Sequence, residues 1–219
     1  MNYFDEIKRH KTFISFRNPE AAWYKNKLIA LNNQYNIFDN YSIGKGDIDR
    51  SDFKQDEEIR QIIIRDWVSD ATVTILLVSP NMSESKFIDW EMQATMSDNV
   101  NNLKMGLLCI FLPEAKNILS LNTNTGNKYP DLVKDIVGGS YWSTLDINTI
   151  DEKYKDLPIR VRKNLKRESV KIDIISWNTL FSSGDAQAAI WIKKLIDKAF
   201  DQRNYNNYDI SDKLQRRHK

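Results

Sequence analysis

Two uninterrupted apolar runs constrain this chain more than anything else in it: Thr72-Val73-Thr74-Ile75-Leu76-Leu77-Val78, and the stretch from Met105 to Leu112. A strand with one wet face alternates apolar and polar side chains. A run that is apolar at nearly every position must be covered on both faces, the situation of an inner strand in a parallel sheet. Both runs end in turn signals, Ser79-Pro80-Asn81 and Pro113, because proline cannot donate to the ladder.

The intervening segments supply the cover. Lys11 to Phe16 reads as a first strand, closed by Arg17-Asn18-Pro19, and Glu20 to Leu31 as a helix with Trp23, Leu28 and Leu31 as core contacts. Asn36 to Asp39 is a short second strand. Ile59, Ile62, Ile63 and Trp67 recur at helical spacing, after Asp56, Glu57 and Glu58 in a first turn that favours acidic groups. A helix is expected over 83–97, with Asn81 and Glu84 spaced as its starting pair. Beyond Pro113 lie a polar loop over 117–130, a late strand over 171–177 and a helix whose stripe is Ile192, Leu195, Ile196, Ala199 and Phe200. Strand–helix alternation predicts an α/β fold with a parallel sheet and right-handed crossovers.

Composition removes several functions. The 219 residues are 41% hydrophobic and 28% charged, ordinary for a globular protein, with a net charge of only +2. A nucleic-acid binder concentrates its basic residues on one face; here they are interleaved with acids, so neither nucleic acid nor membrane is an expected partner. The basic cluster 213–219 reads as a solvated tail. The single cysteine, Cys109, allows neither a disulfide framework nor a cysteine metal site, and an apolar setting disfavours its thiolate. No signal-peptide pattern opens the chain and no apolar stretch reaches bilayer length, so a cytoplasmic protein is expected. The organisation expected is an N-terminal extension over 1–10, one domain over 11–203 and a polar basic tail over 204–219.

Histidine chemistry is nearly excluded, since His10 and His218 stand near opposite ends and no relay or metal cluster is spaced around them. The acidic loop from Tyr41 to Gln55 does not fit a calcium loop, and Gly44-Lys45-Gly46 lacks the third glycine of a phosphate-binding fingerprint. In open α/β sheets ligands bind beyond the carboxyl ends of the strands. That rule selects Phe16-Arg17-Asn18, Asp39-Asn40-Tyr41-Ser42 and Ser79-Pro80, with a following helix that carries Phe87, Ile88, Trp90 and Glu91. On the residues alone, Glu91 reads as an ordinary surface helix carboxylate. The Arg17 fork suits phosphate oxygens or a surface ion pair equally.

Ser85-Lys86-Phe87-Ile88-Asp89-Trp90-Glu91 resembles the TIR segment Ser-x-Trp-Cys-x-x-Glu, with Phe87 in place of Trp and Ile88 in place of Cys. The strand over 72–78 and the opening Lys11-Thr12-Phe13-Ile14-Ser15-Phe16 are similar to the TIR strands around it. The Ile88-Asp89-Trp90-Glu91 helix and the Asp39 to Ser42 turn resemble the TIR-like family that contains the Thoeris signal-producing protein. Leu157-Pro158-Ile159-Arg160-Val161, Ile175-Ser176-Trp177 and Ile196 to Arg203 look like that family's C-terminal portion.

The resemblance implies a flavodoxin-like TIR-type sheet with helices on both faces and a C-terminal α/β elaboration. It implies an antiphage-defence enzyme that cleaves the N-glycosidic bond of NAD, with NAD as substrate and no cofactor or metal. Glu91 would be catalytic, with Phe16, Arg17, Asn18, Tyr41, Ser42, Ser85, Phe87 and Trp90 as substrate contacts. The implied partners are NAD, a separate effector reached through a diffusible, cyclic or otherwise ADP-ribose-derived signal, a phage-derived trigger, and further copies of the chain on activation. The alternative is a non-catalytic TIR-like scaffold acting through protein assembly. A receiver module is weaker, since no aspartate closes the strand over 73–79. A flavin module is weaker too, since Phe16-Arg17-Asn18-Pro19 is no phosphate loop.

Overall fold

The computed structural model describes residues 8–41, 58, 70–98, 104–115 and 150–214. The expected helix over Ile59 to Trp67, most of the loop after Tyr41 with Ser42, the loop over 117–130 and the last five residues lie outside them. Strands β1 (Lys11–Phe16), β2 (Asp39–Asn40), β3 (Val73–Val78), β4 (Gly106–Phe111) and β5 (Asp173–Ser176) form one sheet in the order β2-β1-β3-β4-β5. Every pairing is parallel. This is the flavodoxin-like order, and its topological switch point falls between β1 and β3. Every residue of β3 and β4 is buried, as two-sided cover requires.

Helices α1 (Ala22–Tyr35), α2 (Lys86–Met96), α3 (Ile150–Lys153), α4 (Ile159–Leu165), α5 (Trp177–Leu180) and α6 (Asp185–Gln202) supply that cover. One face of the sheet, with Ile14, Ile75, Leu77, Leu108, Ile110 and Ile175, packs on Leu28 and Leu31 of α1 and Ile192, Leu195 and Ile196 of α6. The other, with Leu76, Val78, Leu107, Cys109 and Ile174, packs on Ile88, Met92 and Met96 of α2, Val161 of α4, and Tyr208. Phe13, Trp90, Ala94 and Met105 form a third cluster, with Tyr41, Phe87 and Leu214 against it.

Several boundaries move, each for a local reason. α1 continues past Leu31 to Tyr35, where Asn36 (φ 52°) closes it in the left-handed conformation with its N–H on the Asn32 carbonyl. The Asn32 side chain then accepts from the Phe38 N–H at 2.8 Å. Residues 36–38 are therefore helix exit, and the second strand begins only at Asp39. Trp23 is no core contact but 65% exposed: at about 100° per residue, it stands about 140° round the helix from buried Leu28. Asn81 precedes only a single 3-10 turn, Met82–Glu84, and the cap of α2 is Ser85, whose hydroxyl accepts from the Ile88 N–H. Trp177 opens α5 rather than closing β5.

The polar segment after α6, expected as part of a tail over 204–219, packs back on the domain over residues 206–212. The Asn206 amide meets the Lys171 backbone and the Tyr208 hydroxyl, which donates to the Met105 carbonyl. Arg160, 1% exposed, binds Asp89 of α2 at 3.2 Å and donates to the carbonyls of Ile210 and Asp212. One guanidinium thus ties α4, α2 and the C-terminal strap together. Removing one partner of a buried pair leaves the other charge uncompensated. Arg160→Ala is expected to cost about 3–5 kcal/mol in denaturant unfolding; a cost below about 1 kcal/mol would show that the strap is held by its other contacts.

Candidate active site

The β1–β3 switch point is where α2 brings its carboxylate. Along β1, Ile14 and Phe16 belong to the face covered by α1 and α6, while Phe13 packs on Trp90 of α2. Ser15 shares the parity of Phe13, so it too faces α2. Its Oγ–H donates to Oε2 of Glu91 at 2.5 Å, within the interior. Ser15 is paired with Leu76 of β3 in the ladder, so the donor stands on regular sheet backbone. Glu91 is only 7% exposed. It is therefore not the surface carboxylate that its helical position suggested.

Burial pushes the Glu91 carboxyl up to about 7, and the Ser15 hydrogen bond pulls the other way. A charge in a poorly solvated site loses water's stabilisation, and it also acts on a nearby ligand charge with less screening. Oε1 has no hydrogen-bond partner among the described residues, and no Glu91 oxygen is both fully enclosed and unpaired. The arrangement offers one anchored oxygen and one available oxygen, on a group that titrates near neutrality.

The other candidates divide. Phe87 and Trp90 meet edge to face at 5.3 Å, with the Lys86 ammonium over both rings, and Tyr41 packs on the same cluster under Lys11. These three aromatics stand on the side of the sheet that carries Glu91. Phe16 is on the opposite side, with Lys25 of α1 over its ring. Arg17 donates to the Asn81 carbonyl at 2.9 Å and lies 3.5 Å from Glu20. Asp156 accepts from the Asn81 N–H at 3.1 Å, so both backbone polar groups of Asn81 are held and the β3–α2 turn is fixed. Asn18 is exposed. Ser85 is engaged as the α2 cap, and Ser42 lies outside the described residues. The Cys109 thiol is buried and its ionisation pushed up by desolvation, as an inert core thiol should be.

Sequence reasoning missed Ser15. The available signal was parity: a hydroxyl facing inward near the carboxyl end of a doubly covered strand needs a partner, and α2 follows the neighbouring strand. The Arg160–Asp89 pair had no such signal, since its members are 71 residues apart.

The family model described as the Thoeris protein ThsB, TIR-like domain, matches residues 13–117. That stretch belongs to the ThsB TIR-like family. Within the matched residues fall β1 from Phe13 onward, β2 to β4, Ser15, the aromatic cluster of α2 and Glu91. The segments 157–161, 175–177 and 196–203, which resembled the same family, lie beyond the matched residues. No curated protein and no solved structure matches the chain. Among the described residues no helix is long and apolar enough to cross a membrane, and no group of three or more His, Cys, Asp and Glu is placed to hold a metal ion.

Proposed function

We propose that this chain cleaves the N-glycosidic bond of NAD and releases an ADP-ribose-derived signal in antiphage defence. The observation that carries the reading is the buried Glu91 carboxylate, held by Ser15 beside the switch point of a ThsB TIR-like domain. The chemistry suits a lone carboxylate. Nicotinamide is already a cationic leaving group, so the C1′–N bond breaks with its electron pair going to the ring nitrogen, and no general acid is needed. The developing oxocarbenium ribose is what must be stabilised, and a preorganised carboxylate in a poorly solvated site does this. A nucleophile then adds to C1′ and loses its proton.

Tyr41, Phe87 and Trp90 would wall the ribose from water on the Glu91 side. Arg17, tied to Asn81 and Glu20, would act first by holding the β3–α2 turn. Water captures the ribose in an open site, whereas a nucleophile held within the folded dinucleotide has a far higher effective concentration. The product should therefore be ring-closed, or a conjugate of an admitted amine, and it would reach a separate effector by diffusion. Activation by a phage-derived trigger and self-association belong to the same proposal.

The test is chromatography with mass detection after incubating the full chain with NAD, in resting and phage-infected lysates. Nicotinamide with a product lighter than ADP-ribose by one water, or a heavier conjugate, is the expected result. Free ADP-ribose alone would leave a plain NAD-depleting enzyme. No NAD consumption in either state would overturn the catalytic reading and favour the assembly scaffold.

A further inference from the structure

Among the described residues, the only hydrogen bond to the Glu91 carboxylate comes from Ser15. A hydroxyl has one proton, so it can hold only one of the two carboxylate oxygens. It does so across β1 and α2, which also meet here through the apolar packing of Phe13 on Trp90. β1 is locked in the sheet between β2 and β3, while α2 is set by its Ser85 cap and by Arg160 on Asp89. A glutamate with three side-chain torsions would otherwise sample several orientations, each placing the carboxylate differently.

We infer that Ser15 is a positioning residue, whose buried hydroxyl anchors Oε2 of Glu91 to β1 and leaves Oε1 for the ligand. The inference rests on the catalytic reading of Glu91 and deepens it. Donation to the charged form also favours that form, against the burial that opposes it. Charged groups around the pair are engaged elsewhere: Asp89 with Arg160 of α4, Lys86 over Phe87 and Trp90, Lys11 over Tyr41, Arg17 on Asn81 and Glu20, and Asp156 on the Asn81 N–H. Burial and Ser15 are the two influences resolved on the carboxyl. The hydroxyl should therefore set both where the carboxylate sits and at what pH it forms.

The experiment compares wild type, Ser15→Ala and Ser15→Thr by two readouts. The first is the pH profile of kcat/KM for NAD. Wild type should rise through about pH 7. In Ser15→Ala the midpoint should move up by about one pH unit, the size expected for loss of one charge-assisted hydrogen bond. Activity at pH 7 would then fall at least about five-fold, and the plateau at high pH would stay below that of wild type, because the released carboxylate samples other orientations. Ser15→Thr keeps a hydroxyl and should keep the profile.

The second readout needs no NAD. The stability difference between Glu91 and Glu91→Gln, followed by denaturation across pH, reports the same carboxyl, and its midpoint should move up in the Ser15→Ala background. Unmoved midpoints by both readouts, or a loss that is equal at every pH, would overturn the role of Ser15. If wild type does not cleave NAD, the denaturation curves still decide Ser15 and the catalytic reading falls separately. Should Ser15→Ala not fold, Ser15→Cys, with its weaker donor, takes its place and the same upward shift is expected.

Discussion

Glu91→Gln should abolish NAD cleavage and, at alkaline pH, stabilise the protein. The amide is nearly isosteric and can still accept from Ser15, so the packing of α2 is preserved while the charge facing the ribose is lost. A loss of at least 100-fold in kcat/KM is expected, about 2.7 kcal/mol of transition-state stabilisation; retention of more than a tenth of wild-type turnover would defeat the assignment.

The stability effect follows from linkage. In the folded protein the Glu91 carboxyl keeps its proton up to about pH 7, whereas an ordinary carboxyl releases it at 4.5. Between those values the folded state binds more protons than the unfolded state, so stability falls as pH rises. The contribution is fully present below pH 4.5 and lost above 7. Its size is about 3 kcal/mol. Glu91→Gln cannot lose a proton and escapes this decline. Its stability relative to wild type should therefore climb by that amount between about pH 4 and pH 8.5. Parallel pH–stability curves for the two proteins would show that Glu91 is not held in the desolvated site described.

Gly106→Ala should be the most damaging small substitution in the sheet. A Cβ on Gly106 would lie 2.1 Å from the Ala199 carbonyl oxygen and 2.4 Å from its carbon, both backbone atoms of α6. Helix α6 cannot yield locally, because Ile192, Leu195 and Ile196 hold it in the core with β3 and β4. Ordinary overpacking costs about 1–3 kcal/mol. Here two backbones must part by over an ångström, and a loss above about 3 kcal/mol is expected, a large share of a typical domain's stability. Urea unfolding, or failure to accumulate folded protein, measures it. A variant within about 1 kcal/mol of wild type would show that α6 and β4 can separate cheaply. The same glycine explains why the apolar run over 105–112 is broken by a residue with no side chain.

Local pattern was enough for the sheet. The two apolar runs, with their proline stops, determined that β3 and β4 are central strands covered on both faces, and the alternation with helices determined the α/β class. The stripe of α6 was legible for the same reason: side chains at 3.6-residue spacing meet one surface, a periodicity internal to the segment. The Ser85 to Glu91 segment was legible as a candidate site through its resemblance to the TIR pattern. Its electrostatics were not, because nothing in residues 85–91 records that Glu91 is enclosed.

Tertiary structure decided what depends on two distant segments meeting. Ser15 and Glu91 are 76 residues apart, and only the crossover that lays α2 against β1 makes them partners. The resemblance puts Phe16 and Trp90 together among the substrate contacts, but strand alternation sends Phe16 to the α1 face while Trp90 stays with Phe13. The strap over 206–212 looked like a polar tail because its asparagines and aspartates are polar. Yet the Asn206 side chain binds the Lys171 N–H, and the backbones of Asp209, Ile210 and Asp212 bind the Asn164 and Arg160 side chains inside the fold. Periodicity is carried by one segment and can be read from it; burial, pairing and the pH at which a carboxylate forms belong to the place where segments converge.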